Sequence, residues 1–343
     1  MLPVAELHIH IEGTLEPELL VALAKRNGTP MRTLDVDELR AGYKFGSLQS
    51  FLDQYFQNVR VLKTEQDFYD LARAYLARAA AAGVRRAEIF FDPQTHLANG
   101  VPLEEVFGGV TAALADGGRD HGISADLILC FLRDLGPDAA DAVLRAALPF
   151  RDQFIGVGLD SAEVGYPPAL FRDVYRLAAA EGLRLVAHAG EEGGPDYVRE
   201  ALDLLGVERV DHGVRSMEDP ELVAQLRDEQ VPLTVCPLSN VALGVVGTIG
   251  DHMLPRMLDA GLLATVNSDD PAYFGGYVDD NLAAVRAAFG YDDARLAALA
   301  RNSFDACFAP GPDKQRWKAE VDSWLARHGS GTAMSGPVVS SAT

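Results

Sequence analysis

The sequence predicts a (β/α)8 TIM barrel with extra helices inserted after strand 1 and at the C-terminus. Short apolar runs rich in Val, Ile and Phe alternate with longer Ala/Leu/Arg/Asp segments at helical spacing, from the first residues to about residue 305. Eight such runs can be counted, the number that closes a parallel barrel. Four stretches at strand ends, around His8 and His10, His188, Asp211 and His212, and Asp269 and Asp270, carry His or Asp, and strand ends are where a barrel of this kind carries its chemistry.

In order, the expected strands are Ala5 to Ile11, Arg86 to Asp92, Ala125 to Phe131, Phe154 to Asp160, Leu183 to Ala189, Arg209 to Val214, Pro232 to Pro237, and Leu263 to Ser268. About 75 residues separate the first two, far more than one crossover helix needs, so further elements are expected there. Among them, Ser47 to Phe56 reads as a capped helix with an aromatic face, packing on the barrel or serving as a lid over its pocket. Thr64 to Ala82 is strongly helical and stops at Gly83, a suitable C-cap. Further helices are expected at Pro167 to Glu181, Asp196 to Leu205, Asp219 to Gln230 and Ile249 to Ala260, with two or three more between residue 277 and Arg327. Residues 1–328 are thus expected to form one domain. The Gly/Ser/Thr/Ala-rich tail 329–343 is expected to be disordered.

Composition limits the function. A net charge of −20 with no Lys/Arg-rich block argues against a nucleic-acid partner. No run approaches the roughly 18 apolar residues of a membrane span, and no secretory leader is visible at the N-terminus. Three cysteines, Cys130, Cys236 and Cys307, form no CxxC pair or disulfide framework, so a cytoplasmic location is expected. Whether the chain forms a homo-oligomer is left open.

The strand ends point to a metal. Residues two apart on a strand share a face, so His8 and His10 present both imidazoles to one side. His188 and one of Asp269 or Asp270, each at a strand's C-terminal end, can complete a nitrogen and oxygen set suited to Zn2+. Burying so many ionisable groups without a purpose costs several kcal/mol apiece. Zinc brings the pKa of bound water to around 7, a second imidazole can take its proton, and a protonated carboxylic acid can give one to the substrate. His212 suits the first proton role and Glu191 the second, provided burial raises the pKa of Glu191. The five lysines all lie outside the expected strands, so no lysine bridge between two metals is available and one zinc is favoured. HExxH, P-loop, GxGxxG and PCxxC motifs are all missing.

Five ordered motifs then resemble the adenosine/adenine deaminase family of the amidohydrolase superfamily, from about residue 3 to residue 307. They are His8-Ile9-His10-Ile11-Glu12-Gly13-Thr14-Leu15, His188-Ala189-Gly190-Glu191, Asp211-His212-Gly213, Cys236-Pro237-Leu238-Ser239-Asn240 and Asn267-Ser268-Asp269-Asp270-Pro271. The resemblance implies one zinc on His8, His10, His188 and Asp269, and Glu191 as proton donor to purine N1. It further implies His212 orienting or deprotonating the zinc-bound water, and Asp270 bonded to N7. Adenosine deaminases usually read HxHLDG, with the Asp on the ribose, whereas this chain has the longer Glu12. Where they carry a Leu-Ala-Gly segment meeting N3, this chain has Ser161-Ala162-Glu163, so Ser161 or Glu163 is expected to meet N3 or N9–H of a free base. These departures, together with Phe91-Asp92-Pro93-Gln94-Thr95-His96, resemble the adenine deaminase branch and imply adenine going to hypoxanthine and ammonia in purine salvage. The alternatives are adenosine, an N6-substituted adenine or another adenine-containing metabolite as substrate, and a purine-binding protein without catalysis.

Overall fold

A computed structural model describes residues 1–329. The expectation for the tail, beyond Gly329, lies outside the described residues. Eight parallel strands pair in sequence order: β1 (Val4–His10), β2 (Val84–Phe91), β3 (Ser124–Leu132), β4 (Gly156–Asp160), β5 (Arg184–Ala189), β6 (Arg209–His212), β7 (Leu233–Val235) and β8 (Ala264–Val266). Their nearly continuous apolar runs follow from burial on both faces, by the barrel interior and by the surrounding helices. Closure falls between β8 and β1, where His10 N–H donates to Asp269 O at 3.1 Å and Asp269 N–H to His8 O at 3.0 Å. β8 is shorter than its apolar run: the Asn267 N–H still donates to Val235 O of β7 at 3.0 Å, but toward β1 it is the Asn267 side chain, through Oδ1, that accepts Leu7 N–H at 2.9 Å.

Four helices fill the long first connection: α1 (Pro17–Asn27), α2 (Val36–Ala41), α3 (Leu48–Asn58) and α4 (Glu65–Ala82). Ser47 caps α3 by accepting Ser50 N–H, and Gly83 ends α4 in the left-handed region at φ 97°. Around the rest of the barrel come α5 (Pro93–Ala98), α6 (Leu103–His121), α7 (Pro137–Ala147), α8 (Arg172–Ala180), α9 (Pro195–Glu200), α10 (Pro220–Glu229), α11 (Pro237–Ala242), α12 (Leu254–Asp259) and α13 (Pro271–Phe274). α14 (Val278–Phe289), α15 (Asp293–Ala306) and α16 (Gly311–His328) finish the described chain. Three expected helices are less regular than their periodicity indicates. The segments beginning at Pro168 and Ile249 enter through single 3-10 turns, and α9 runs into a π turn over Ala201–Leu205. The prolines Pro167, Pro168 and Pro255 restrict the residues before them and keep the first two segments from starting as continuous helices. No helix among the described residues is long and apolar enough to cross a membrane.

The barrel interior is layered. At its N-terminal end Glu88 bonds both Arg209 and Arg86, and Phe308 covers the Arg209 guanidinium at 4.7 Å. Above this lies an apolar plug of Phe90, Ile128, Cys130 and Val186. Phe90 touches the imidazoles of His8, His10 and His188, with ring centroids 5.2, 5.0 and 5.5 Å away. The chemistry therefore rests on a dry floor.

Outside the barrel α4 and α6 pack closely at Gly109, where a Cβ would come within 2.1 Å of the Glu65 carbonyl oxygen. Gly109→Ala is expected to lower stability by about 1–3 kcal/mol in urea unfolding, the usual cost of overpacking. An unchanged midpoint would contradict this contact.

Candidate metal centre and active site

Three strand ends converge on one point. The ligand atoms of His8, His10 and His188 all lie within 4.8 Å of one another, and His10 Nε2 and His188 Nε2 are 3.2 Å apart. Asp269 places Oδ1 3.4 Å from His8 Nε2 and 3.6 Å from His10 Nε2. The pairing of β5 with β6 sets His188 beside Asp211 and Ala189 beside His212. The bridge of Ile9 to Asp269 brings the end of β8 to β1. Ser161, His212 and Asp269 adopt left-handed backbone at φ 70°, 65° and 65°, a conformation costing of order 1–3 kcal/mol for residues with a side chain. Three such residues at the ends of the alternate strands β4, β6 and β8 mean that the turns are shaped by the site rather than by local preference.

The far nitrogens show which way the lone pairs face. His8 Nδ1 lies 3.0 Å from Thr234 Oγ1, which in turn donates to Asp211 Oδ1 at 2.8 Å. His188 Nδ1 is 3.7 Å from Asp211 Oδ2, and His10 Nδ1 is 3.6 Å from Asp160 Oδ2. The Thr234 acceptor puts the ring proton of His8 on Nδ1 and turns its Nε2 lone pair to the centre, and the carboxylates beside His188 and His10 stand on their Nδ1 sides as well, so that all three Nε2 atoms face one another. Burial pushes the pKa of His10 down to about 4 and holds that of His188 well below the imidazole range, so these rings are neutral at neutral pH. Three nitrogens that face one another in a dry site leave at least one unsatisfied: His10 Nε2 and His188 Nε2 have only each other at 3.2 Å, and His8 Nε2 has no hydrogen-bond partner. The donor set fits a divalent metal. Cys236 also lies near His8, His212 and Asp269, but burial raises its thiol pKa well above the usual range and leaves it a poor ligand.

Beside this centre lies a cavity lined by His10, Asp269, His188, Glu191, His212 and Asp270 among others and roofed by Leu48, Phe51, Leu52, Tyr55 and Phe56 of α3. The aromatic face of α3 serves both expected purposes, since Phe51 also packs on Phe274 at 4.7 Å. Glu191 Oε2 is 3.5 Å from His212 Nε2, while Glu191 Oε1 is buried and unpartnered. Burial, followed by the charges of Asp269 and Glu163, holds the Glu191 carboxyl well above its usual pKa. Asp270, raised by burial and by Asp269, aims an unpartnered Oδ1 across Gly13. A Cβ on Gly13 would come within 2.0 Å of that oxygen, so the glycine makes room for it.

Two expected substrate contacts are placed elsewhere. Glu12 is buried outside the cavity lining, where Oε1 accepts Asp92 N–H at 3.2 Å and bonds His96 Nε2 at 2.7 Å. Glu163 is buried as well, and its carboxylate accepts the N–H groups of Gly190, Glu191, Glu192 and Gly193 at 2.7, 3.1, 2.7 and 2.8 Å. The Glu163 carboxylate is claimed by turn N–H groups that have no other partner, whereas Glu12 is held by His96 and one backbone N–H and keeps Oε2 unpartnered. Glu163 holds the loop that carries Glu191, whereas Ser161 does line the cavity, with an unpartnered Oγ.

The sequence reading also missed several groups. Thr234 orients His8. Asn240 Nδ2 reaches His212 Nδ1 at 3.5 Å, and Asn240 Oδ1 bonds His252 Nε2 at 3.0 Å. Thr234 shows no signal beyond its place on a strand, and His252 lies in no motif, but Asn240 belongs to the Cys236 to Asn240 stretch. Replacing Glu163 by Gln is expected to speed hydrogen exchange at the four loop amides by about ten- to a hundredfold, because unpaired buried donors cost about 1–3 kcal/mol. Unchanged protection there would show that the carboxylate does not hold the loop.

Comparison with known proteins agrees with this geometry. The sequence model of the family described as adenosine deaminase matches residues 3–324. An adenine deaminase of Streptomyces coelicolor is 61% identical over 94% of this chain and 96% of its own length. The crystal structure of an adenine deaminase from Arthrobacter aurescens superimposes with a TM-score of 0.94 at 54% identity, covering 95% of this chain and all of that one. An amidohydrolase from Burkhoderia ambifaria, solved with bound Zn, is 30% identical with a TM-score of 0.87, covering 96% of this chain and 92% of its own. The chain therefore belongs to the adenosine deaminase family.

Proposed function

We propose that the protein deaminates adenine hydrolytically to hypoxanthine and ammonia, with one zinc ion held by His8, His10, His188 and Asp269. The choice of adenine rests on the 61% identity with the S. coelicolor adenine deaminase over nearly the full length of both chains. The zinc-bound relative and the facing Nε2 lone pairs support the metal. When bound, the metal supplies a water acidic enough to act as nucleophile near neutral pH.

The chain's own residues do the rest. His252 accepts Leu254 N–H at its Nδ1, so its Nε2–H donates to Asn240 Oδ1 and turns the Asn240 amide N–H toward His212 Nδ1. His212 then presents Nε2–H to the cavity and orients the attacking water. This polarity favours orienting over proton abstraction, the two roles that the sequence left open for His212. Glu191, kept protonated by burial, gives its proton to N1 as oxygen adds to C6. Of the water's two protons, one leaves with the amino group as ammonia and the other restores the acid. Asp270, also held protonated, donates to N7 and fixes the ring plane.

Purified protein is expected to turn over adenine far faster than adenosine or N6-methyladenine; the reverse order would overturn the choice of substrate. Glu191→Gln is expected to keep its zinc and lose about 10²- to 10⁴-fold in kcat, the span of general acid catalysis, and retained turnover would remove Glu191 from its role. His8→Ala is expected to lose zinc by elemental analysis, and full occupancy would contradict the ligand set.

A further inference from the structure

The metal ligands, Glu191, His212 and Asp270 occupy only part of the cavity wall. What remains, on the side of β2 and β4, carries Asp92, Asp160 and Ser161 under Tyr55 of α3. In this group Asp92 Oδ1, Asp160 Oδ1 and Ser161 Oγ are buried atoms with no hydrogen-bond partner, and Asp92 is only 3% exposed. Buried acceptors left open in a cavity wall await a donor. Tyr55 O–H donates to Asp92 Oδ2 at 3.0 Å, which fixes the Asp92 carboxyl and leaves its other oxygen free. Asp160 is already engaged as the protonated partner of Asp92: the two carboxyls are hydrogen-bonded to each other, and burial with the Asp92 charge beside it holds Asp160 well above the usual carboxyl range.

Strand order tells which edge of the ring meets this wall. C6 must face the imidazoles, N1 faces Glu191 after β5, and N7 faces Asp270 after β8. The edge opposite C6, bearing N3 and N9, is thereby directed to the β2 and β4 side and the α3 roof. With N7 accepting from Asp270, the mobile imidazole proton of a free base sits on N9. That edge then offers one N–H donor in a place shut off from water.

We propose that Asp92, oriented by Tyr55, is a specificity residue that accepts the N9–H of the free base and so turns away purines substituted at N9. This inference rests on the adenine reading above. It also assigns the role that the sequence had given to Ser161 or Glu163, leaving Ser161 Oγ as a donor for N3. A carbon on N9 would remove the donor, leave a buried carboxyl unpaired and press on the Tyr55 to Asp92 hydrogen bond. A site built to bond an N–H rejects an analogue lacking it far more strongly than an apolar pocket rejects a misfit.

The test pairs binding with turnover in zinc-loaded protein. Hypoxanthine and 9-methylhypoxanthine are titrated calorimetrically into wild type, Asp92→Ala and Tyr55→Phe, and adenine and 9-methyladenine are compared in kcat/KM. Wild type is expected to favour the unsubstituted base by more than about a hundredfold. Asp92→Ala is expected to bring that preference within about tenfold by weakening the unsubstituted base, and Tyr55→Phe to narrow it by about three- to tenfold. An undiminished preference in both variants, or equal loss for both ligands, would overturn the contact, since a merely structural role weakens both alike. Adenine turnover with the preference unchanged in Asp92→Ala would sink this inference alone. A preference lost in Asp92→Ala, in a protein that turns over no adenine, would sink the deaminase reading and leave the contact standing.

Discussion

The constraint on which the site depends is the confrontation of three imidazole lone pairs and one carboxylate on a dry floor. Phe90 lies beneath His8, His10 and His188 and keeps water from satisfying them from below. Burial keeps His10 and His188 neutral, so they cannot relieve the crowding by charging and donating. The proposed shared cation would satisfy all of them together, and its binding energy would add to the stability of the folded state.

The surrounding structure serves to hold that confrontation in place. Asp211 reaches one imidazole through Thr234 and faces another directly, and Asp160 faces the third. Ser161, His212 and Asp269 accept left-handed backbone in turns where glycine would be easier. The carboxylate of Glu163 gathers four successive N–H groups and turns a flexible glycine-containing loop into a rigid support for Glu191. Carboxylates outnumber cations here. Glu191 and Asp270 have their carboxyl pKa raised by burial and by the charge of Asp269, as the proposed proton-donor roles require.

The fold was legible in the sequence because each strand, buried on both faces, leaves a short apolar run between helical segments. The edges were less so: the apolar run of β8 extends to Ser268, but Asn267 diverts a ladder bond into its side chain. The meeting of His8, His10, His188 and one of Asp269 or Asp270 was legible because a strand's alternation and its C-terminal end dictate where such side chains go, while the choice of Asp269 came from the family resemblance alone. Glu12 and Glu163 were misplaced for a physical reason. Glu12 turns to the His96 ring and the Asp92 N–H, and Glu163 to four turn N–H groups, partners that lie 80 and 27 or more residues away in sequence. Asp92, Thr234 and His252 act through contacts between strands or loops remote in the chain, and only Asp92 stood within a recognisable motif.

The central claim is that the opposed lone pairs form a single metal site. Anomalous diffraction at the zinc edge on crystals of the protein tests it most directly. One peak per chain is predicted, within bonding distance of the Nε2 atoms of His8, His10 and His188 and a carboxylate oxygen of Asp269. Two peaks, or none at this point in protein shown to be active, would contradict the account.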